Sequence, residues 1–249
     1  MNAYVAEFLG TLLLILFGNG VVANVVLTGT KGHNAGWIVI NAGWGVAVFI
    51  GAFCSAPFSG AHLNPAVTVA MALAGKLAGA QVVPYIAAQM LGAIAGAVLV
   101  FCFYREHFKV TSDADGKLAC FSTGPAIRNI PQAFFCEIVG TFCLILPIFL
   151  MTDVKFDWPA GTAPSSVVVG MGSLGLIPVA VLVFGIGMSL GGTTGYGINP
   201  ARDLGPRLAH AFLPIPGKRD SDWGYAWVPV VGPLAGAALA AGVQALLHS

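Results

Sequence analysis

Six long apolar segments alternate with shorter polar segments along the chain. They cover residues 4–27, 36–56, 82–104, 131–152, 166–188 and 225–247. A helix needs about 20 mostly apolar residues to cross the hydrocarbon core of a bilayer, and each segment is about that long. The pattern therefore predicts six transmembrane helices.

Two further apolar segments are too short to cross a bilayer. Residues 65–73 and 200–211 are each about half as long as a crossing helix, and each is introduced by Asn-Pro, at Asn64 and Asn199. A short helix at membrane depth leaves irregular backbone beside it, which is tolerated only where protein buries it or a watery cavity runs along it. We expect two re-entrant half-helices that line a cavity.

The second half of the chain repeats the first. AEFLGTLLLIL recurs as CEIVGTFCLIL, GAHLNPAV as GYGINPAR, and LGAIAGA as VGPLAGA, at offsets of 130, 135 and 140 residues. Each copy holds three spans and one half-helix, and because three is odd the second copy enters the membrane from the opposite side. The prediction is an all-α membrane protein with six transmembrane helices plus two re-entrant half-helices in an inverted repeat.

Composition agrees with a membrane protein and excludes other classes. Hydrophobic residues make up 57% of the 249 residues and charged residues 8%, whereas a soluble domain is about one quarter charged. The net charge of +1, without a long basic run, argues against a nucleic-acid partner. Five cysteines without a CxxC pair, and no phosphate-binding or nucleophile motif, predict no metal, no cofactor and no enzyme activity.

The inverted repeat is expected to bring Asn64 and Asn199 together near the middle of the bilayer. An N-cap asparagine accepts a helix N–H through its side-chain oxygen, and the proline after it fits the first helical position because it has no N–H. The amide NH2 groups are then left to point into the lumen, beside two helix N-termini that each carry about half a positive charge. Such a site repels cations and offers donors to neutral hydroxyl groups.

The stretches before the two half-helices are expected to supply acceptors, because their backbone carbonyls can face the lumen. These pore-lining residues are Gly60, Ala61, His62, Gly195, Tyr196 and Gly197. We therefore expect residues 1–249 to form one membrane channel domain. It is made of repeats 1–110 and 131–249, joined by a loop at 105–130.

Twin Asn-Pro-Ala motifs carry a family resemblance. They are Asn64, Pro65 and Ala66, and Asn199, Pro200 and Ala201, within SGAHLNPAV and NPARD. On an inverted six-span repeat, these motifs resemble the aquaporin and aquaglyceroporin family, and the chain looks closest to bacterial glycerol uptake facilitators. The resemblance implies passive permeation in a homotetramer whose subunits each hold a pore. It also implies a location in the plasma membrane, with the lipid bilayer around the protein and both termini in the cytoplasm.

The resemblance also implies a selectivity filter of four residues: Trp44, Gly187, Tyr196 and Arg202. Trp44 and Gly187 look like the glycerol-conducting branch. Gly187 leaves room, Trp44 and Tyr196 can form an apolar corner, and Arg202 offers a fork of N–H donors to hydroxyl groups. The implied function is a channel for glycerol, other small uncharged solutes and water that excludes ions and protons.

Other functions stay open. Glycerol facilitators commonly carry phenylalanine where this chain has Tyr196, so protonated lactic acid or dihydroxyacetone is an alternative solute. A mainly water-conducting aquaporin is another alternative. An ion-coupled secondary transporter shares inverted repeats and broken helices, and a mainly structural membrane protein is the fourth candidate.

Buried polar residues have two interpretations each. Glu7 and Glu137 occupy equivalent positions in apolar spans, where they either relay ions or brace the loops before the half-helices; the resemblance favours braces, with Gln89 as a further support. His62 is either a metal ligand or pH gate, or a packed histidine of the loop. Arg202 either faces the lumen or neutralises its neighbour Asp203.

The distribution of basic residues conflicts with the implied orientation. With cytoplasmic termini, seven basic residues lie outside, and only Lys76 and Lys155 lie inside. The seven are Lys31, Arg105, Lys109, Lys117, Arg128, Lys218 and Arg219. The positive-inside rule favours the opposite orientation. We keep the orientation of the family, because long loops weigh less in that rule.

Overall fold

The computed structural model describes residues 1–152 and 170–247. Within these residues the chain forms ten α-helices, a short 3-10 helix at Gly172–Leu176, and no strand. The helices are α1 (Ala3–Val26), α2 (Trp37–Ser59), α3 (Pro65–Leu73), α4 (Gly79–Phe103), α5 (Arg105–Val110), α6 (Ala114–Ala119), α7 (Ile130–Leu150), α8 (Ile177–Leu190), α9 (Pro200–Phe212) and α10 (Val228–Leu247). The predicted all-α class is confirmed.

Six of the helical segments are long and apolar enough to span a membrane. They are α1, α2, α4, α7, the stretch Gly172–Leu190 that ends in α8, and α10. The predicted spans are therefore confirmed, with shifted ends. The start of the fifth predicted span, at 166–169, lies outside the described residues. The sixth begins later than predicted, at Val228, because residues 223–227 form turns.

The two predicted half-helices are α3 and α9, and each packs into the opposite half of the chain. α3, from the first repeat, lies against α10, and α9, from the second repeat, lies against α4. Within the halves, α1 packs on α2 and α4, and α7 packs on α10. The half-helices therefore join the two repeats in one helical bundle.

Small residues let these helices approach closely, as their spacing predicts. A Cβ atom on Gly96 of α4 would lie 2.6 Å from the carbonyl oxygen of Leu12 on α1. Gly236 of α10 is related to Gly96 by the repeat and faces the carbonyl oxygen of Ile138 on α7 in the same way. The backbone contact is therefore repeated in both halves.

The predicted loop at 105–130, which connects the two repeats, contains two short helices. This connecting loop contains α5 and α6, and its residues Phe108 and Phe121 are completely buried, with ring centroids 5.7 Å apart. Lys117 is also buried, and its Nζ donates to the carbonyl oxygen of Pro216 at 2.5 Å. The physical reason is that Phe108 and Phe121 occur among the charged residues of the loop and pack into the hydrophobic core.

Candidate functional site

The two half-helices begin with the caps that their sequences predict. Asn64 Oδ1 accepts the backbone N–H of Ala66 at 2.8 Å, and Asn199 Oδ1 accepts those of Ala201 and Arg202 at 3.0 and 3.2 Å. A proline occupies the first turn of each helix. Both asparagine oxygens are therefore occupied by their own helix.

The tips of the half-helices are tied to each other. Asn64 Nδ2 donates to the carbonyl oxygen of Ile198 at 2.9 Å, and Asn199 Nδ2 donates to that of Leu63 at 2.8 Å. The expectation that both NH2 groups point into the lumen is therefore wrong for one hydrogen of each group, which bonds the opposite loop. Since an amide NH2 carries two hydrogens, one remains on each asparagine for another acceptor.

The loops before the two half-helices have the same left-handed backbone. Positive φ angles recur at Gly60 (79°), Ala61 (54°), Leu63 (50°), Gly195 (83°), Tyr196 (40°) and Ile198 (39°). A non-glycine residue in this region costs on the order of 1–3 kcal/mol and persists only where its surroundings impose it. The loops must therefore be held from outside.

Glu7 holds the first loop. Its carboxylate accepts the backbone N–H groups of His62 at 2.9 Å and Leu63 at 2.7 Å, and it also accepts from Ser59 Oγ and from Gln89 Nε2. The side chain is completely buried. All four donors converge on one carboxylate, which fixes the backbone of the loop.

Glu137 holds the second loop in the same way. Its carboxylate accepts the backbone N–H groups of Gly197 at 3.0 Å and Ile198 at 2.8 Å, and it accepts from Thr194 Oγ1 at 2.7 Å. It is completely buried as well. The two residues whose N–H groups bond Glu137 are related by the repeat to the two residues whose N–H groups bond Glu7.

His62 is packed by its neighbours. Its Nδ1 lies 3.2 Å from Thr68 Oγ1, and its ring is centred 5.0 Å from the ring of Tyr85. Gln89 Nε2 donates to the same hydroxyl oxygen of Thr68 at 2.9 Å. These contacts favour the interpretation of His62 as a packed residue of the loop.

Two cavities lie along the loops, and three side chains line both. The central cavity is bounded by loop residues 60–63 and 196–198, by Asn64 and Asn199, and by an apolar wall. The wall consists mainly of Leu14, Val48, Val67, Leu144, Ile148 and Val183. The mouth cavity lies beside residues 122–124 and includes Gly195. The shared side chains are Trp44, Tyr196 and Arg202, so they stand at the boundary between the two cavities.

Arg202 is held in place at this boundary. Its guanidinium carbon lies 4.2 Å from the ring centroid of Trp44, which is a cation–π distance. Its Nη1 donates to the carbonyl oxygen of Phe121 at 3.3 Å, and Asn19 Nδ2 donates to the same oxygen at 3.2 Å. The loop that joins the two repeats, which contains Phe121, thus positions the arginine.

Asp203 is not the partner of Arg202. It bonds Arg207 Nε and Nη2 at 2.8 and 3.0 Å, and it accepts the backbone N–H and the hydroxyl of Thr123, both at 2.7 Å. In the described part of the chain, no carboxylate lies within ion-pair distance of Arg202. The interpretation that Arg202 merely neutralises Asp203 is wrong, because that carboxylate is already bonded to Arg207.

Gly187 lies behind the boundary and lines neither cavity. A Cβ atom on Gly187 would lie 2.8 Å from Tyr196 Cζ and 2.5 Å from Asn41 Oδ1. The room that glycine leaves is therefore filled by the Tyr196 ring. The structure brings Trp44, Tyr196 and Arg202 together at the lumen and places Gly187 in the support for Tyr196.

Trp37 and Asn41 belong to the same support, and sequence reasoning missed both roles. Trp37 Nε1 donates to the carbonyl oxygen of Gly187 at 3.2 Å, and its ring packs edge-on against Tyr196 with centroids 6.0 Å apart. Trp37 therefore helps to position the Tyr196 ring. The signal was available, because residues 37, 41 and 44 follow the i, i+4, i+7 spacing of one helix face.

Comparisons with known proteins agree over nearly the whole chain. The family described as "Major intrinsic protein" matches residues 1–244. A "Glycerol uptake facilitator protein" of Streptococcus pneumoniae is 53% identical over 240 residues, which is 96% of this chain and 97% of that protein. A "D/L-lactic acid transporter" of Lactiplantibacillus plantarum is 41% identical over 245 residues, covering 97% of this chain and 95% of that protein.

A solved structure gives the same answer at the level of the fold. The X-ray structure of the aquaglyceroporin from Plasmodium falciparum is similar with a TM-score of 0.79 and 32% identity, over 96% of this chain and 93% of that one. The expected inverted-repeat fold with two half-helices is thereby confirmed. The chain belongs to the major intrinsic protein family.

Proposed function

We propose that this protein is a passive membrane channel for glycerol and other small uncharged solutes, and that it also passes water. The observation that carries the proposal is the boundary made by Trp44, Tyr196 and Arg202, with Gly187 behind it. Two relatives from different organisms support the solute class, since one is named a glycerol uptake facilitator and the other an aquaglyceroporin.

A polyol fits this boundary because its two sides differ chemically. Trp44 and Tyr196 present aromatic surface that can contact a carbon chain. Arg202 presents N–H donors that can bond the hydroxyl groups on the other side of the chain. We therefore assign the selectivity filter to Trp44, Tyr196 and Arg202, and we assign Gly187 to it as the residue that makes room for the tyrosine ring.

Ion exclusion follows from the charges along the same path. Two helix N-termini, each with about half a positive charge, converge at the tips of α3 and α9. Arg202 adds a full charge that no carboxylate within ion-pair distance offsets in the described part of the chain. A cation therefore meets a positive potential, while a neutral hydroxyl group meets donors at the two motifs and acceptors at the loop carbonyls.

Glu7 and Glu137 act as braces in this proposal. Each carboxylate already accepts hydrogen bonds from two backbone N–H groups and at least one side chain. An ion relay requires a carboxylate that can release these bonds and accept a proton or an ion. The contacts thus favour the channel over an ion-coupled transporter.

Protonated lactic acid is the second candidate solute. It is favoured by the relative that is named a lactic acid transporter, at 41% identity. A polar contact from the Tyr196 hydroxyl to the solute would also favour it, but this oxygen is buried and does not face the lumen. Glycerol therefore remains the first choice.

Assembly and orientation complete the proposal. We propose that residues 1–249 form one channel domain, that four copies assemble with one pore in each, and that both termini lie in the cytoplasm. Large apolar side chains such as Val83, Phe103 and Leu246 are more than 70% exposed in the single chain, which suits contact with lipid or with another copy. A cysteine-accessibility scan of the loops tests the orientation against the positive-inside rule.

A solute panel in proteoliposomes tests the function. Stopped-flow light scattering should show glycerol uptake well above that of empty vesicles, without dependence on a sodium or proton gradient. Lactic acid uptake that exceeds glycerol uptake and rises as the pH is lowered would favour the second candidate instead. Fast water shrinkage without accelerated glycerol uptake would refute the proposal and indicate a water channel.

A further inference from the structure

The ring of Tyr196 lies beside the lumen, but its hydroxyl group does not. The ring lines both cavities, yet the hydroxyl oxygen is buried and has no hydrogen-bond partner in the described part of the chain. A buried unpaired hydroxyl costs free energy, so native structures seldom keep one without a reason. The tyrosine thus presents the apolar surface of its ring to the lumen, while its hydroxyl oxygen is buried away from the lumen.

A matching acceptor lies at the hidden end. Asn41 is completely buried on α2, and its Oδ1 also has no partner in the described residues. Both this oxygen and the Tyr196 hydroxyl lie close to the same point beside Gly187. A Cβ atom there would be 2.5 Å from Asn41 Oδ1 and 2.9 Å from the tyrosine oxygen. One unused donor and one unused acceptor therefore share a small buried space.

Two neighbouring polar groups already have hydrogen-bond partners of their own. Asn41 Nδ2 already donates to Met188 Sδ at 3.6 Å, and the carbonyl oxygen of Gly187 accepts from Trp37 Nε1. A hydroxyl group can donate to an amide oxygen, either directly after a small side-chain rotation or through one buried water. A Cβ at Gly187 would crowd both atoms, so glycine at this position lets them lie near each other.

We propose that Asn41 is a positioning residue that determines solute size, because its carboxamide oxygen anchors the Tyr196 hydroxyl and thereby fixes the aromatic wall of the filter. The inference rests on the proposed function. Its consequence is that tyrosine, in place of phenylalanine, changes how firmly the wall is held and adds no polar contact to the solute. Loss of the anchor lets the ring move and admits bulkier polyols.

A double-mutant cycle tests this with erythritol and glycerol as paired solutes. Tyr196→Phe removes the donor, and Asn41→Leu removes the acceptor at nearly constant shape. Each should raise the ratio of erythritol to glycerol permeability by up to about fivefold, the factor that corresponds to one hydrogen bond of about 1 kcal/mol. The double variant should match the single ones, because both remove the same bond.

Tyr225→Phe is the matched control, since that tyrosine is also buried with an unpaired hydroxyl but lines neither cavity. It should leave the ratio unchanged. Unchanged ratios in Tyr196→Phe and Asn41→Leu, or additive effects in the double variant, would overturn the inference. A fall in glycerol permeability confined to Tyr196→Phe would overturn it too, because the hydroxyl would then act on the solute.

Two further readouts cover failures of folding and of the proposed function. If Asn41→Leu is not monodisperse, Asn41→Ala replaces it. A crystal structure of the unaltered protein should show the tyrosine and asparagine oxygens bonded directly or through one water, and separation without a shared water would contradict the inference. Absence of glycerol flux in the unaltered protein refutes the proposed function, whereas normal glycerol flux with unchanged ratios refutes only the role of Asn41.

Discussion

The loops before the two half-helices have the same backbone but different side chains. GAHLNPAV and GYGINPAR align without a gap and share glycine, asparagine, proline and alanine. In each loop, a buried carboxylate accepts two backbone N–H groups. Two of the three side chains proposed for the selectivity filter, however, belong to the second repeat: Tyr196 where the first loop has Ala61, and Arg202 where the first half-helix has Val67. The loop backbone is thus built twice, whereas most of the proposed filter chemistry is carried by the second repeat.

The supports of the two braces differ as well. Glu7 is bonded by Gln89, whose Oε1 has no partner in the described residues. The repeat places Pro229 at the position of Gln89 in the second half, and there the Cβ of Pro229 lies 3.1 Å from where a Cβ on Gly197 would lie. The first loop thus has an adjustable polar neighbour, and the second has a rigid apolar one.

The largest expected effect comes from changing each brace to glutamine, which replaces one carboxylate oxygen with an NH2 group. Glu137→Gln turns an NH2 group toward backbone N–H donors and should lower the free energy of unfolding by about 3 kcal/mol, since each unpaired buried donor costs about 1–3 kcal/mol. Glu7→Gln should cost less, because the Gln89 amide can flip and accept from the new NH2. Thermal unfolding in detergent measures both.

Gln89→Leu provides the control for this comparison. Combined with Glu7→Gln, it removes the amide that can flip, so the double variant should lose as much stability as Glu137→Gln does. Equal destabilisation by the two single Glu→Gln changes would show that the second support is not the more rigid one.

The next effect concerns the room beside Gly187. Gly187→His should reduce glycerol permeability more than tenfold and water permeability less, because the new side chain must displace Tyr196 or Asn41. Stopped-flow measurements of both solutes on the same vesicles test this. Gly185→Ala is the matched control, since a Cβ there meets nothing within 4 Å. Equal loss of glycerol and water permeability would argue against a filter of size and polarity at this place.

A smaller effect is expected from making the second half-helix resemble the first. Arg202→Val copies Val67 and removes both the fork of donors and the unpaired charge. Glycerol permeability relative to water should fall about tenfold, in line with the loss of about 1.5 kcal/mol, the lower end of the range for a hydrogen bond to a charged group. The variant should also admit cations, which a conductance measurement in planar bilayers detects. An unchanged solute ratio would place selectivity elsewhere.

The smallest effect lies in a surface ion pair between the loop that joins the two repeats and the second repeat. Arg128 bonds Asp222 beside the mouth, and its guanidinium lowers the pKa of that carboxyl below its usual range. The pair stabilises the fold above the ordinary aspartate pKa, and this contribution is lost as the pH falls through the lowered value. Because Arg128 is half exposed, the change should stay below about 1 kcal/mol.

Unfolding midpoints measured from pH 6 to pH 3 test this ion pair. Arg128→Ala should remove the part of the pH dependence that the pair causes, and Arg105→Ala, on the same connecting segment, should not. A pH profile that is identical in Arg128→Ala and the unaltered protein would exclude a stabilising role for the ion pair.

The sequence predicted what depends on period and repetition. Apolar runs of bilayer length and the twin Asn-Pro motifs were enough for six spans, two half-helices and their caps at Asn64 and Asn199. Equivalent positions under the repeat predicted the same role for Glu7 and Glu137, and the family resemblance favoured bracing the two loops. These features follow from local rules that each half obeys separately.

The rest depends on contacts between segments far apart in the chain. That Asp203 bonds Arg207, that Phe121 positions Arg202, and that each motif amide bonds the opposite loop all require the packed structure. Asn41 carries no motif of its own. Only its position beside Gly187 and Tyr196 reveals a role.

We propose that a filter carried mainly by the second repeat passes neutral polyols and refuses ions. Proteoliposomes loaded with a pH-sensitive dye test it most directly, because glycerol swelling and proton influx can be followed in the same vesicles. We expect glycerol swelling far faster than in empty vesicles, with proton influx no faster than theirs. Glycerol swelling equal to that of empty vesicles, or proton influx that rises with protein content, would contradict it.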